Sequence, residues 1–253
     1  YVTALVPASL ELVFETRLLE VMTHALPDEE GALTAAGVGA ALEAAARAGA
    51  LVLGPGLGRS DGAFAFAREL AARAGVALLL DADGLNAHAG ELDDLAARGA
   101  PTVLTPHAGE LGRLLGRSSR EIDAHRLRSA REAARRASAV VVLKGDDTIV
   151  VAPDGTAAVN DLGAPALATA GTGDVLSGVI GAFLAKGLDP FAAACAGVRR
   201  HAAAGRVAAA GHGADGVIAS DVVAALPRAL EGEPTAYGMP GVPEPADERG
   251  LLP

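Results

Sequence analysis

Val140-Val141-Val142-Leu143 runs straight into Lys144-Gly145-Asp146, and this change from four apolar residues to a charged, glycine-bearing loop decides the fold. A continuous apolar run bounded by a turn reads as a strand buried on both faces. The same habit recurs three times upstream. Ala50-Leu51-Val52-Leu53 leads into Gly54-Pro55-Gly56-Leu57-Gly58, and Ala77-Leu78-Leu79-Leu80 leads into Asp81-Ala82-Asp83-Gly84. Thr102-Val103-Leu104 leads into Thr105-Pro106-His107. Helix-like stretches separate these runs, so the spacing predicts an α/β fold with a mostly parallel central sheet and helices on both faces. In such a sheet the four loops share one edge, where open α/β folds bind ligands. Loops that merely punctuated strands would be chemically random, whereas these bring glycines, three acids, a histidine and a lysine to one place.

The rest of the chain reads outward from that sheet. Ser118-Ser119-Arg120-Glu121 is a capping-box pattern, and Ile122, Leu127, Ala130, Ala134 and Ala137 follow at helical spacing, which predicts one helix. The arginines between positions 113 and 136 read as its solvated face, with phosphate binding as the alternative. Residues 148–152 and 156–160 form an expected hairpin that turns at Pro153-Asp154-Gly155 and brings Asn160 to the edge that carries Lys144. Residues 174–185 predict a helix ended by Lys186-Gly187, and Asp189-Pro190 opens another that runs to about Ala210. From Gly232 onward, prolines among scattered acids read as a disordered tail, giving a folded unit over 1–231 and a tail over 232–253.

A net charge of −10 over 253 residues argues against a nucleic-acid backbone or an anionic membrane as the main partner. With no Trp and 3% aromatic residues, base stacking is an improbable mode of recognition. The single Cys195 excludes an internal disulfide framework and suits a reducing cytoplasm. No apolar run reaches the length of a membrane span, and the first residues lack the pattern of a secretory leader, so a soluble, cytoplasmic protein is expected.

Residues 168–178, Ala-Thr-Ala-Gly-Thr-Gly-Asp-Val-Leu-Ser-Gly, read as an anion cradle opening into a helix. Gly171 and Gly173 allow backbone N–H groups to converge on an oxyanion, and the positive end of the helix adds to the attraction. Asp174 beside such a hole suggests a base facing the reacting group. Taken alone, the stretch could also be a glycine-rich turn capped by Thr172 or Asp174.

With GPGLG at 54–58, DADGLN at 81–86, LTPHAGE at 104–110, LKGDDT at 143–148 and ATAGTGDVLSG at 168–178, the chain resembles the ADP/ATP-dependent NAD(P)H-hydrate dehydratases, a branch of the ribokinase-like fold. The likeness covers about residues 51–226, and TPHAGE together with GTGD is far more specific than either motif alone. It implies a three-layer sandwich and a hydro-lyase of the carbon–oxygen class. Such an enzyme restores hydrated NADH and NADPH by phosphorylating the ring hydroxyl and expelling phosphate. ADP or ATP is the implied co-substrate, with Mg²⁺.

Under the resemblance Asp174 is the catalytic base. Gly171, Thr172 and Gly173 hold the transferring phosphoryl group, and Lys144, Gly145, Asp146, Asp147 and Thr148 form the nucleotide-phosphate loop. Gly54, Gly56 and His107 contact the hydrated nicotinamide nucleotide, together with Asp174. An ordinary strand-to-helix turn would also explain the two glycines. Asp81 and Asp83 could organise Mg²⁺ or substrate, or Asp81 could cap the next helix, and neither is assigned to catalysis. His24, His88, His125, His201 and His212 lack a paired ligand pattern, so no protein metal site is predicted. The implied partners are the hydrated dinucleotides, ADP or ATP, an NAD(P)H-hydrate epimerase, fused or separate, and further copies of the chain in a homo-oligomer; neither nucleic acid nor membrane is among them.

Two departures from the family pattern stand out. Members usually place a strand, a Gly-rich loop and a helix before the segment equivalent to residues 1–6, which predicts an N-terminally truncated sequence. Asn160-Asp161-Leu162-Gly163-Ala164-Pro165 follows the usual Asn-Pro-Thr-Gly-Asn-Pro run only loosely. The competing expectations are a ribokinase-like kinase for hydroxymethylpyrimidine or hydroxyethylthiazole, from which TPHAGE points away, and a nucleotide-binding fragment without catalysis.

Overall fold

In the computed structural model, which describes residues 1–230, all four apolar runs are strands. In chain order the strands are β1 (Thr3–Pro7), β2 (Met22–Leu26), β3 (Asp28–Glu29), β4 (Ala32–Leu33), β5 (Ala50–Leu53), β6 (Ala77–Leu80), β7 (Thr102–Leu104), β8 (Val140–Leu143), β9 (Ile149–Val151) and β10 (Ala157–Val159). The α-helices are α1 (Glu11–Arg17), α2 (Val38–Ala45), α3 (Asp61–Arg73), α4 (Ala82–Asn86), α5 (Ala108–Leu115), α6 (Ser119–Ala124), α7 (Arg126–Ala137), α8 (Thr172–Ala185), α9 (Pro190–His212) and α10 (Ala219–Leu230).

Six strands form the main sheet in the order β10-β9-β8-β7-β6-β5. From β5 to β8 they run parallel, and β9 and β10 close the sheet as the expected antiparallel hairpin. Leu53 pairs with Leu80, Leu80 with Leu104 and Leu104 with Val141, so the loops after these strands open on one edge. Asn160 donates its N–H to the Thr148 carbonyl at 2.9 Å, which brings the hairpin's end to that same edge.

Alternation along each strand explains the three layers. Leu78, Leu80, Leu104, Val141 and Leu143 join Phe66, Leu70, Leu111 and Ala134 in one core, against α3, α5 and α7. Leu79, Val103, Val140 and Val142 face the other way and join Leu176, Ile180, Ala194 and Val198 of α8 and α9. Both faces are dry, which is why these strands carry no polar alternation.

Of three features outside the sequence reading, the second and third have local causes. β1 and β2 form a separate parallel pair that does not join the six-stranded sheet. The segment from Ser118 is two helices, because His125 (φ −141°, ψ 44°) leaves helical geometry between α6 and α7. The capping box is present at α6, where Glu121 Oε2 accepts the Ser118 N–H at 2.8 Å, but helical periodicity carried through the break, since Ile122 and Ala130 enter one core on either side of it. Third, α9 reaches His212, two residues past the expected end, after Asp189 caps it by accepting from the N–H groups of Phe191 and Ala192. The tail expected over 232–253, and its boundary, lie outside the described residues. Among those described, no helix is long and apolar enough to cross a membrane.

Candidate active site

Asp81, the first residue after β6, is only 1% exposed, yet both its oxygens are partnered. Lys144 Nζ donates to Oδ1 at 2.7 Å, and Ser177 Oγ donates to Oδ2 at 2.7 Å. A buried carboxylate is tolerated only when paired and hydrogen-bonded, and here the pairing ties the ends of β6 and β8 to α8. Asp81 precedes α4 but its side chain does not cap it, so the capping alternative is excluded. Lys144 Nζ also lies 3.8 Å from Glu110 Oε2 and would stand 3.5 Å from a Cβ built on Gly173. The ammonium therefore rests against the glycine loop at the mouth of α8.

That mouth is open to an anion. Gly171 precedes α8 in the left-handed region at φ +84°, and no side chain caps the helix. Thr172 is buried and its hydroxyl donates to the carbonyls of Leu167 and Thr169 at 2.7 and 2.8 Å, which fixes the incoming chain and leaves the helix N–H groups uncapped. Asp174, in the first turn, is accessible at the rim. Desolvation lifts its carboxyl above the ordinary range, the negative charge of Asp81 adds to the rise, and Lys144 offsets part of it.

His107 and Glu110 form the third side. His107 Nδ1 accepts from the N–H groups of Gly109 and Glu110 at 2.9 and 3.3 Å, while Glu110 Oε2 accepts the His107 N–H at 2.9 Å. Two amides on Nδ1 assign the neutral ring's proton to Nε2, so His107 presents an N–H donor on an exposed ring. Glu110 is 5% exposed and shared between this histidine and Lys144.

The two glycines after β5 differ. Gly54 (φ +127°) has no room for a Cβ, which would stand 1.8 Å from the Asp81 carbonyl oxygen. Its lack of a side chain is thus used against the neighbouring loop, and Gly54→Ala should cost more than about 3 kcal/mol and displace Asp81. Denaturant unfolding measures this, and a wild-type midpoint would refute the close approach. Gly56 (φ +68°) faces open space at the sheet edge. Asp83 accepts from Arg59 Nε at 2.7 Å and Asn86 Nδ2 at 2.9 Å, so it is occupied by an arginine from the segment between β5 and α3 and by its own helix. Gly145, Asp146 and Asp147 are exposed, and the Thr148 hydroxyl donates to the Gly145 carbonyl at 3.0 Å, closing that loop on itself.

Beneath the cradle, His201 of α9 is 7% exposed, its Nε2 without a hydrogen-bond partner, and burial pushes its pKa down to about 4 although a bond to the Thr172 backbone opposes this. The unfolded chain then binds the extra proton first, so stability falls as pH drops from the ordinary histidine range towards 4. His201→Gln should flatten this slope, worth on the order of 3 kcal/mol across the window. Melting temperatures recorded across that pH range check it; an unchanged slope would contradict it.

Of the residues expected at the site, Lys144, Gly173, Asp174 and His107 converge around Asp81 and Glu110. Asp81, Glu110 and Ser177 are the members that the sequence reading did not assign. Ser177 had a signal, since it follows Asp174 by three residues and shares its helix face. Among the described residues no group of three His, Cys, Asp or Glu side chains is placed to hold a metal.

A family model described as NAD(P)H-hydrate dehydratase matches residues 2–228. The chain belongs to this family. Among this dehydratase-family chain's relatives, the bifunctional NAD(P)H-hydrate repair enzyme Nnr of Moorella thermoacetica is 40% identical over 230 residues, covering 90% of the chain and 43% of that relative. The ADP-dependent (S)-NAD(P)H-hydrate dehydratase of Xanthomonas campestris is 37% identical over 192 residues, covering 76% of the chain and 65% of the relative. The chain thus spans less than half the length of the bifunctional relative. The dehydratase fold itself is matched by the ADP/ATP-dependent NAD(P)H-hydrate dehydratase of Bacillus subtilis, co-crystallised with ATP/Mg²⁺ and soaked with CoA, at a TM-score of 0.71 and 28% identity over 88% of this chain and 78% of that one.

Proposed function

We propose that this chain dehydrates hydrated NADH and NADPH at the expense of ADP or ATP, and the arrangement that carries the reading is Lys144, fixed by buried Asp81, beside the uncapped amides at Gly171–Gly173 and the carboxylate of Asp174. Hydroxide is a poor leaving group and phosphate a good one, so nucleotide-driven elimination has a chemical rationale. Asp174 takes the proton of the ring hydroxyl as its oxygen attacks the terminal phosphorus and the bond to the nucleotide's leaving oxygen breaks. The cradle amides and Lys144 hold the charge that spreads over the transferring oxygens. Phosphate then leaves the ring carbon with the bonding pair, the departing phosphate takes the proton that a neighbouring ring carbon gives up, and the ring double bond returns.

The loop 144–148 is assigned to the nucleotide phosphates, and Gly56 and the His107 Nε2–H to the dinucleotide. Mg²⁺ bound with the nucleotide supplies charge neutralisation at the phosphates. Of the cleft carboxylates Asp174 is accessible while Glu110 is buried and engaged by His107 and Lys144, so the ion would rest mainly on phosphate oxygens and water. A cytoplasmic setting, a homo-oligomeric state and an NAD(P)H-hydrate epimerase as fused or separate partner belong to the same proposal.

Purified protein incubated with hydrated NADH or NADPH and ADP or ATP should regain the dihydronicotinamide absorbance, with phosphate released. Phosphorylation of hydroxymethylpyrimidine or hydroxyethylthiazole without that recovery would replace the lyase by a kinase. A nucleotide-dependent rise in melting temperature with neither activity would reduce it to a binding protein.

A further inference from the structure

We infer that Arg126 is the positioning residue that shapes the loop 144–148 for nucleotide phosphates, acting through the loop's backbone. The inference rests on the reading of that loop as the nucleotide site. Arg126 is the first residue of α7, immediately after the break at His125, and its Nη2 donates to three carbonyls: Leu143 at 3.2 Å, Lys144 at 3.3 Å and Asp147 at 3.1 Å. A Cβ on Gly145 would stand 2.6 Å from Nη2 and 2.9 Å from Cζ, so the loop wraps the guanidinium closely enough that residue 145 has no space for a side chain. Asp123 of α6 flanks the other terminal nitrogen at 3.5 Å.

In a trans peptide the carbonyl of one residue and the N–H of the next point in opposite directions. Drawing the Lys144 and Asp147 carbonyls onto Arg126 therefore turns the N–H groups of Gly145 and Thr148 away from it, so one side of the loop presents donors while its carbonyls are neutralised underneath. An anion meeting this loop finds amides in front and a fixed cation behind. The same contact gives the helix break a purpose. Among the arginines read as a solvated face, Arg126 leaves that face because the chain restarts at its position.

The test is isothermal calorimetry with ADP and ATP, plus steady-state kinetics with the nucleotide varied, on the full chain. Arg126→Met should weaken nucleotide binding by roughly tenfold, the scale of losing hydrogen bonds to a charged group. The loss should fall on the nucleotide KM much more than on kcat. Arg126→Lys keeps the charge and three donors on a different stem and should recover part of the affinity, which a merely structural arginine would not require. Asp146→Trp, which obstructs the exposed face of the loop, serves as the control. If Asp146→Trp weakens binding and a folded Arg126→Met does not, the inference about Arg126 fails alone. Should Asp146→Trp leave binding intact, the loop is not the nucleotide site and both readings fall. If Arg126→Met does not fold, Arg126→Lys is read instead, with a loss of about threefold expected; affinity equal to wild type overturns the inference.

Discussion

Asp174→Asn lowers kcat by roughly three orders of magnitude, the range that a positioned general base contributes, while nucleotide binding survives. The amide has nearly the shape of the carboxylate but cannot accept the hydroxyl proton. The same substitution should raise the melting temperature at neutral pH. Because the folded chain lifts the Asp174 carboxyl above its ordinary range, ionised Asp174 is a burden on the fold, present above that range and relieved as pH falls through it. The stability gain of Asn over Asp must therefore shrink on acidification. A thermal scan over acid and neutral pH checks the sign, and single-turnover kinetics checks the rate. Retained near-wild-type turnover would remove Asp174 from the base role.

Lys144→Ala should be damaging in a different way, losing both nucleotide affinity and stability. It leaves the Asp81 carboxylate buried with the Ser177 hydroxyl as its remaining side-chain partner among the described residues, and stranding one member of a buried pair costs roughly 3 kcal/mol or more. For a chain of this size the melting temperature should drop by on the order of 10 °C. Replacing both members, Lys144→Met with Asp81→Asn, removes the stranded charge and should restore most of the stability without restoring turnover. That non-additivity is the signature of a coupled pair. If Lys144→Ala melts like the wild type, the ion pair with Asp81 does not hold in solution.

The parallel sheet was legible because runs such as Val140–Leu143 are apolar on both faces, and period two cannot then be mistaken for a half-wet strand. The helix start at Thr172 was legible because Gly171 and Gly173 bracket it. Asp81 was ambiguous for a physical reason: an acid after a strand serves equally as a helix cap, a ligand or an ion-pair partner, and only the long-range approach of Lys144 and Ser177 decides between them. Glu110 was likewise hidden, as its Oε2 completes a local capping box while its charge meets a lysine from another strand. The break at His125 left no mark in the hydrophobic period, since Ile122 and Ala130 on either side of it enter the same core.

The buried carboxylate at the end of β6 has one more consequence. It fastens the lysine that follows β8 and a serine from α8 to a point that exists only when the central sheet is assembled, so the charge pattern proposed to handle phosphate cannot persist in a partly opened chain. Under the proposed function, heat inactivation should therefore coincide with global melting.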